Sequence, residues 1–160
     1  MRRLILTLAL ALLTCAGVAG GAAAGARPDA RVSGTYTVTD FGGTNCTPLS
    51  ATVLRCATKG LKSDYSGDLI GDATSDFDQL IDCATGRTVG QGLETFSGTV
   101  RGGPAGTLVW RIVFAADFDC GTFYPTKFHA VSLITRATGG LNGASGILRF
   151  GDVSYDGLLR

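Results

Sequence analysis

Glu94 is the only glutamate in the chain, and it stands where a carboxylate is chemically odd. The surrounding run from Gly90 to Ala116, GQGLETFSGTVRGGPAGTLVWRIVFAA, reads as a β-hairpin that turns at Gly102-Gly103-Pro104-Ala105-Gly106. Side chains alternate along a strand, so in the first arm Gly92, Glu94, Phe96 and Gly98 share one face and Leu93, Thr95, Ser97 and Thr99 the other. In the second arm Leu108, Trp110, Ile112 and Phe114 share a face, opposite Val109, Arg111, Val113 and Ala115. A carboxyl held beside rings and the only tryptophan is desolvated. Desolvation raises its pKa and suits it to serve as an acid, a base or an anchor for the polar group of a ligand. The structural alternative is a buried carboxyl hydrogen-bonded to Tyr65, Tyr36 or Gln79 that serves the fold alone.

Other chemistry finds less support. His129 is the lone histidine and has no acid–base companion, and no G-x-S-x-G is present, so no catalytic residue is assigned. There is no C-x-x-C, and Asp64, Asp68, Asp76 and Asp78 alternate outward on strands, which predicts a solvated face rather than a metal site. The spacing of Gly140, Gly143 and Gly146 lacks a following helix and is turn chemistry, so no cofactor motif is present. Asn45-Cys46-Thr47 fits a glycosylation sequon.

The elements that must position Glu94 are strands. Twelve of the thirteen acids are Asp, Gly numbers 24, and no stretch keeps a helical period. Met1-Arg2-Arg3, the apolar Leu4 to Leu13 and small residues to Ala26 predict a signal peptide over 1–26, leaving one domain over 27–160. The expected location is therefore secreted or periplasmic. The alternative is a lipoprotein anchored through Cys15. No run is long enough for a spanning helix. Loss of Arg2 and Arg3 takes the basic residues from 14 to 12 against 13 acids, which argues against nucleic acid as a partner.

Taken in order, Arg31 to Phe41 alternates, with Val32, Gly34, Tyr36 and Val38 on one face. Gly42 to Gly60 is expected to be a loop, then Leu61 to Ile70 a strand, Gly71-Asp72 a turn and Ala73 to Asp82 a strand with Phe77, Gln79 and Ile81 on one face. After the central hairpin, Ala116 to Pro125 is expected to be a loop and Thr126 to Arg136 a strand apolar on both faces. The turn Thr138 to Gly146 precedes two short strands, Ile147 to Phe150 and Val153 to Leu159. Eight strands with short connections predict an all-β, eight-stranded antiparallel up-and-down barrel; the alternative is a β-sandwich.

Four cysteines remain after the signal, and an even number in an exported chain predicts two disulfides. Three pairings are possible. In a meander the loops holding Cys46 and Cys56, Cys83, and Cys120 fall at one rim, so Cys46–Cys56 and Cys83–Cys120 are the simplest. Val131 and Leu133 form an outward apolar stripe, expected to be covered by a subunit neighbour or by the Cys46–Cys56 flap.

Tyr65-Ser66-Gly67-Asp68-Leu69 with Gly71-Asp72-Ala73-Thr74, Gly92-Leu93-Glu94 with Phe96 and Gly98, and TGGLNGASG from Thr138 resemble small bacterial relatives of allene oxide cyclase and the dirigent proteins. The resemblance runs from about Val32 to Leu159, and the motifs are short and glycine-based. It implies a barrel with a lumen, a homo-oligomer and a cyclase- or isomerase-like activity. The cysteine rim departs from that pattern, and no motif places the plant members' catalytic residues here.

Three functions follow, in order. The first is a barrel that binds a small apolar molecule in its lumen, with Glu94, Trp110, Phe77, Gln79, Phe96, Ile112 and Phe114 as lumen candidates. The second is a scaffold with a filled lumen. The third is the enzyme that the resemblance implies.

Overall fold

The computed structural model describes residues 29–160 as nine antiparallel strands and no helix. The expected signal peptide, the cut near Arg27 and Cys15 lie outside the described residues. The strands are β1 (Ala30–Asp40), β2 (Gly43–Pro48), β3 (Val53–Gly67), β4 (Leu69–Asp82), β5 (Arg87–Val100), β6 (Gly106–Asp119), β7 (Tyr124–Gly139), β8 (Gly146–Phe150) and β9 (Ser154–Leu159). Each of β3 to β9 pairs with the next, and β1 pairs with both β9 and β3. Eight strands therefore close into an antiparallel ring, as expected, and no sheet edge is left along it. β2 is the ninth strand and stands outside the ring.

Three stretches differ from the expected layout. Gly42 to Gly60 is not a loop but a hairpin, in which β2 pairs with the first half of β3 while β1 pairs with its second half. Every residue of β2 is exposed, so no apolar alternation marks it, and the disulfide that joins its Cys46 to Cys56 clips it in place. Two devices let β3 serve both partners. One is a bulge at Lys59-Gly60, where Gly60 takes φ +71, and the other is the Asp76 carboxylate, which accepts the Gly60 N–H at 2.9 Å.

The β3–β4 turn centres on Asp68 rather than on Gly71-Asp72. Gly71 lies inside β4, where a Cβ would sit 2.1 Å from the Ser97 carbonyl of the next strand. Asp68 instead fills the turn, its side chain accepting the Ser33 N–H at 2.9 Å. The expected loop from Ala116 to Pro125 is mostly strand, because inward Ala116 and Phe118 continue the alternation of β6.

The disulfides are Cys46–Cys56 and Cys83–Cys120, with Cα–Cα distances of 4.0 and 5.8 Å. All four cysteines lie at one rim. Replacing Cys83 and Cys120 together by Ser should lower stability by about 2–4 kcal/mol in urea titrations, mainly by freeing the unfolded chain. Peptide mapping that found Cys46 joined to Cys120 would contradict this pairing.

The opposite end of the barrel is solid. Val32, Leu69, Phe96, Leu108, Trp110 and Leu148 are all at most 2% exposed, and Leu141 tucks in from the β7–β8 turn. On the outside of β7, Val131 and Leu133 are 48% and 55% exposed, so the Cys46–Cys56 flap does not cover them.

Candidate functional site

The half of the lumen nearest the cysteines is not filled. A cavity of about 630 Å³ lies there. That falls within the range of about 300–1,000 Å³ usual for small-molecule sites. The sequence explains the space. Six of the inward positions along β3, β4 and β5 are small, namely Thr58, Ser63, Ser75, Thr88, Gly90 and Gly92. Large rings lie over the glycines: a Cβ on Gly90 would come within 2.2 Å of the Phe114 ring, and one on Gly92 within 2.5 Å of Phe77 Cβ. Phe77 and Phe114 then meet edge to face at 5.3 Å.

Glu94 lines this cavity and is 6% exposed. Its neighbours across the sheet are Ser75 on β4 and Trp110 on β6. Tyr65 on β3 donates its hydroxyl hydrogen to Glu94 Oε1 at 2.5 Å, so of the three partners expected from the sequence it is Tyr65 that serves. Oε2 accepts no hydrogen bond of ordinary geometry from the described residues. Burial pushes the carboxyl above its usual range, opposed by Tyr65, Ser75 and Trp110, and no cationic side chain contributes. The Trp110 indole N–H favours the ionised form, yet it makes no hydrogen bond of ordinary geometry. Burial and the Glu94 charge together hold the Tyr65 phenol well above its ordinary pKa. Tyr36, stacked on Tyr65 at 5.9 Å, is raised for the same reasons, and its hydroxyl donates to the Gly151 carbonyl at 2.7 Å.

A bulge in β7 shapes the mouth. Lys127 takes φ 47 there, a conformation that costs a non-glycine residue about 1–3 kcal/mol. The displaced Phe128 N–H donates to Asp152 Oδ1 at 2.5 Å. Phe128 keeps the inward alternation of Ala130 and Ser132 and lies in the lumen, 5.6 Å from Phe114. Exposed Phe41, Phe123, Tyr124 and Val153 border the opening, with Phe41 edge-on to Tyr124 at 6.2 Å. Lys127 Nζ is held by Asp117 Oδ2 at 2.8 Å.

No protein-family model matches the chain, and no curated protein matches it.

Of the seven lumen candidates, Glu94, Phe77, Gln79, Ile112 and Phe114 line the cavity. Trp110 and Phe96 do not. They stack on each other at 6.0 Å within the solid core, and both are wholly buried. Gln79 accepts a hydrogen bond from Thr88 Oγ1 at 3.2 Å rather than reaching Glu94. The sequence reading missed Phe123, Tyr124 and Phe128 as mouth and wall residues. Phe128 had a signal in its inward register, whereas Phe123 and Tyr124 fell in the supposed loop. Among the described residues no cluster of His, Cys, Asp and Glu is arranged to hold a metal ion.

Proposed function

We propose that the protein binds a small, mainly apolar molecule in the cysteine-side half of its barrel, with the polar group of that molecule against Glu94. One observation carries this reading: the cavity is walled largely by aromatic and apolar side chains, and Glu94, the one carboxyl in its interior among the described residues, receives a single hydrogen bond of ordinary geometry, from Tyr65. Apolar walls supply affinity, and one convergent polar group supplies orientation. A scaffold would have no use for the space. The lower half of the same barrel demonstrates that this chain fills a lumen where its inward residues are large.

Export is part of the proposal and is supported by the two disulfides, which suit an oxidising compartment. Kinship with the allene oxide cyclase and dirigent barrels is likewise a proposal, supported by the ring of eight antiparallel strands. The fold by itself does not fix an activity.

The test uses Trp110, the only tryptophan. It lies one layer below the cavity but is the cross-strand neighbour of Glu94. A bound ligand should therefore alter its fluorescence through Glu94 rather than by contact. Aryl alcohols should bind more tightly than the matching hydrocarbons by about two- to tenfold, since a neutral hydrogen bond to a buried acceptor is worth about 0.5–1.5 kcal/mol. A broad screen of apolar probes giving neither a Trp110 response nor heat of binding would remove the binding reading and leave the scaffold.

A further inference from the structure

We infer that the lumen is built for an organic cation, an alkyl- or arylammonium ion whose nitrogen meets Glu94 while its apolar body lies among Tyr36, Tyr65, Phe77, Phe114 and Phe128. This deepens the binding reading and rests on it.

The sign of the site comes from its charges. Among the described residues three charged side chains line the cavity: Glu94 at the floor, and Asp152 and Lys127 at the mouth. Lys127 is already paired with Asp117, and Asp152 accepts the Phe128 N–H. No Arg or His among the described residues lines the space. Glu94 is thus a buried acid with no cation of its own, the arrangement that a protein ordinarily avoids by pairing the charge. An ammonium ligand supplies the missing partner.

The distribution of donors points the same way. Tyr65 spends its hydroxyl on Glu94 and Tyr36 spends its own on Gly151. Thr88 donates to Gln79 and to the Leu80 carbonyl. What remains for a ligand includes the carboxyl oxygen of Glu94 that Tyr65 does not bind, the neutral Gln79 amide and small hydroxyls. A carboxylate ligand would enter a space with no free cation and would face Glu94, so anionic amphiphiles are excluded on charge.

The walls add a second recognition element. A cation over the face of an aromatic ring is attracted by the ring quadrupole, most strongly when water is excluded. Tyr36 and Tyr65 are stacked, and Phe114 meets both Phe77 and Phe128. A neutral alcohol would satisfy Glu94 but would gain nothing from the rings as a charge. The cation should therefore exceed its neutral counterpart by on the order of tenfold to a hundredfold in affinity.

The experiment is calorimetric titration of the oxidised, full-length mature protein with aryl- and alkyl-trimethylammonium ions. Each is set beside its tert-butyl isostere, which has the same shape without the charge. 3-Phenylpropionate is the anionic control. Tenfold or greater preference for the cation within each pair, with no detectable binding of 3-phenylpropionate, is the expected result. Glu94→Gln should remove most of the cation's preference within each pair, leaving only the part that the rings supply. Because that variant could be unstable, a second measurement uses the unaltered protein. The charge on a quaternary ammonium does not titrate, so lowering the pH should weaken the cation alone. The groups that face Glu94 are Tyr65 and Tyr36, both raised further out of range, and the uncharged Ser75 and Trp110; Asp152 lies at the mouth. Equal affinity of cation and isostere, or tighter binding of the carboxylate, overturns the inference while leaving the binding reading intact. Failure of every probe, charged and neutral, overturns both.

Discussion

Trp110→Ala should lower the stability of the barrel by about 3–5 kcal/mol, the largest loss expected from any one side chain. Trp110 is wholly buried, stacked on Phe96 and 6.1 Å from the Tyr65 ring, so truncation opens a hole beneath the ligand cavity with little to collapse into it. Trp110→Phe should behave differently. It gives up part of the packing but also removes a buried indole N–H that has no partner. An unmade hydrogen bond of this kind costs about 1–3 kcal/mol, which offsets much of the lost contact. The phenylalanine variant should therefore stay within about 1.5 kcal/mol of the parent. Urea denaturation followed by far-ultraviolet circular dichroism measures both without the tryptophan signal. A phenylalanine variant as unstable as the alanine one would mean that the N–H is satisfied, with Glu94 as the only plausible acceptor across the sheet.

The contrast between these two substitutions also bears on what a sequence can reveal. The face that carries Trp110 was legible, because strict alternation from Leu108 to Phe114 permits only one inward set. Depth along the barrel axis was not legible. Alternation assigns a side chain to the inside or the outside but says nothing of which inward layer is packed and which is open. Whether Phe96 and Trp110 or Phe77 and Phe114 face empty space depends on the residues at the same height on other strands. Ser75 and Thr88 leave room where Leu69 and Leu148 do not. The flap was hidden for a different reason. β2 has no buried face, so its strand character comes from pairing with β3 and from the Cys46–Cys56 bridge rather than from any apolar pattern. The cysteine pairing itself was legible, because an up-and-down meander places alternate connections at one end.

Glu94 should make the stability of the fold decline as the pH rises, a direction opposite to that of most carboxylates. Burial raises its folded-state pKa above the ordinary 4.5, so the native barrel holds that proton more tightly than the unfolded chain does. The resulting stabilisation is complete below about pH 4.5 and is lost as the pH climbs through the raised folded value, with each tenfold excess in proton affinity worth about 1.4 kcal/mol. Asp76, Asp117 and Asp119 act in the other direction, since hydrogen bonds and, at Asp76 and Asp117, a lysine neighbour hold them below their usual range. They are exposed and are common to every variant, so they cancel in a difference. The urea midpoint of the parent relative to Glu94→Gln should accordingly fall as the pH rises above about 4.5 and level off once the raised folded value has been passed. A flat difference would show that Tyr65, Ser75 and Trp110 together return the carboxyl to its ordinary pKa despite burial. Glu94→Leu alone is a poor test, because it leaves the Tyr65 hydroxyl without an acceptor at a cost of about 1–3 kcal/mol. Glu94→Leu combined with Tyr65→Phe removes both partners and should stabilise the barrel above the transition by about 1–4 kcal/mol. A gain of that size would mean that the fold tolerates its buried acid rather than needing it. What keeps Glu94 in place would then be the molecule that meets it in the lumen.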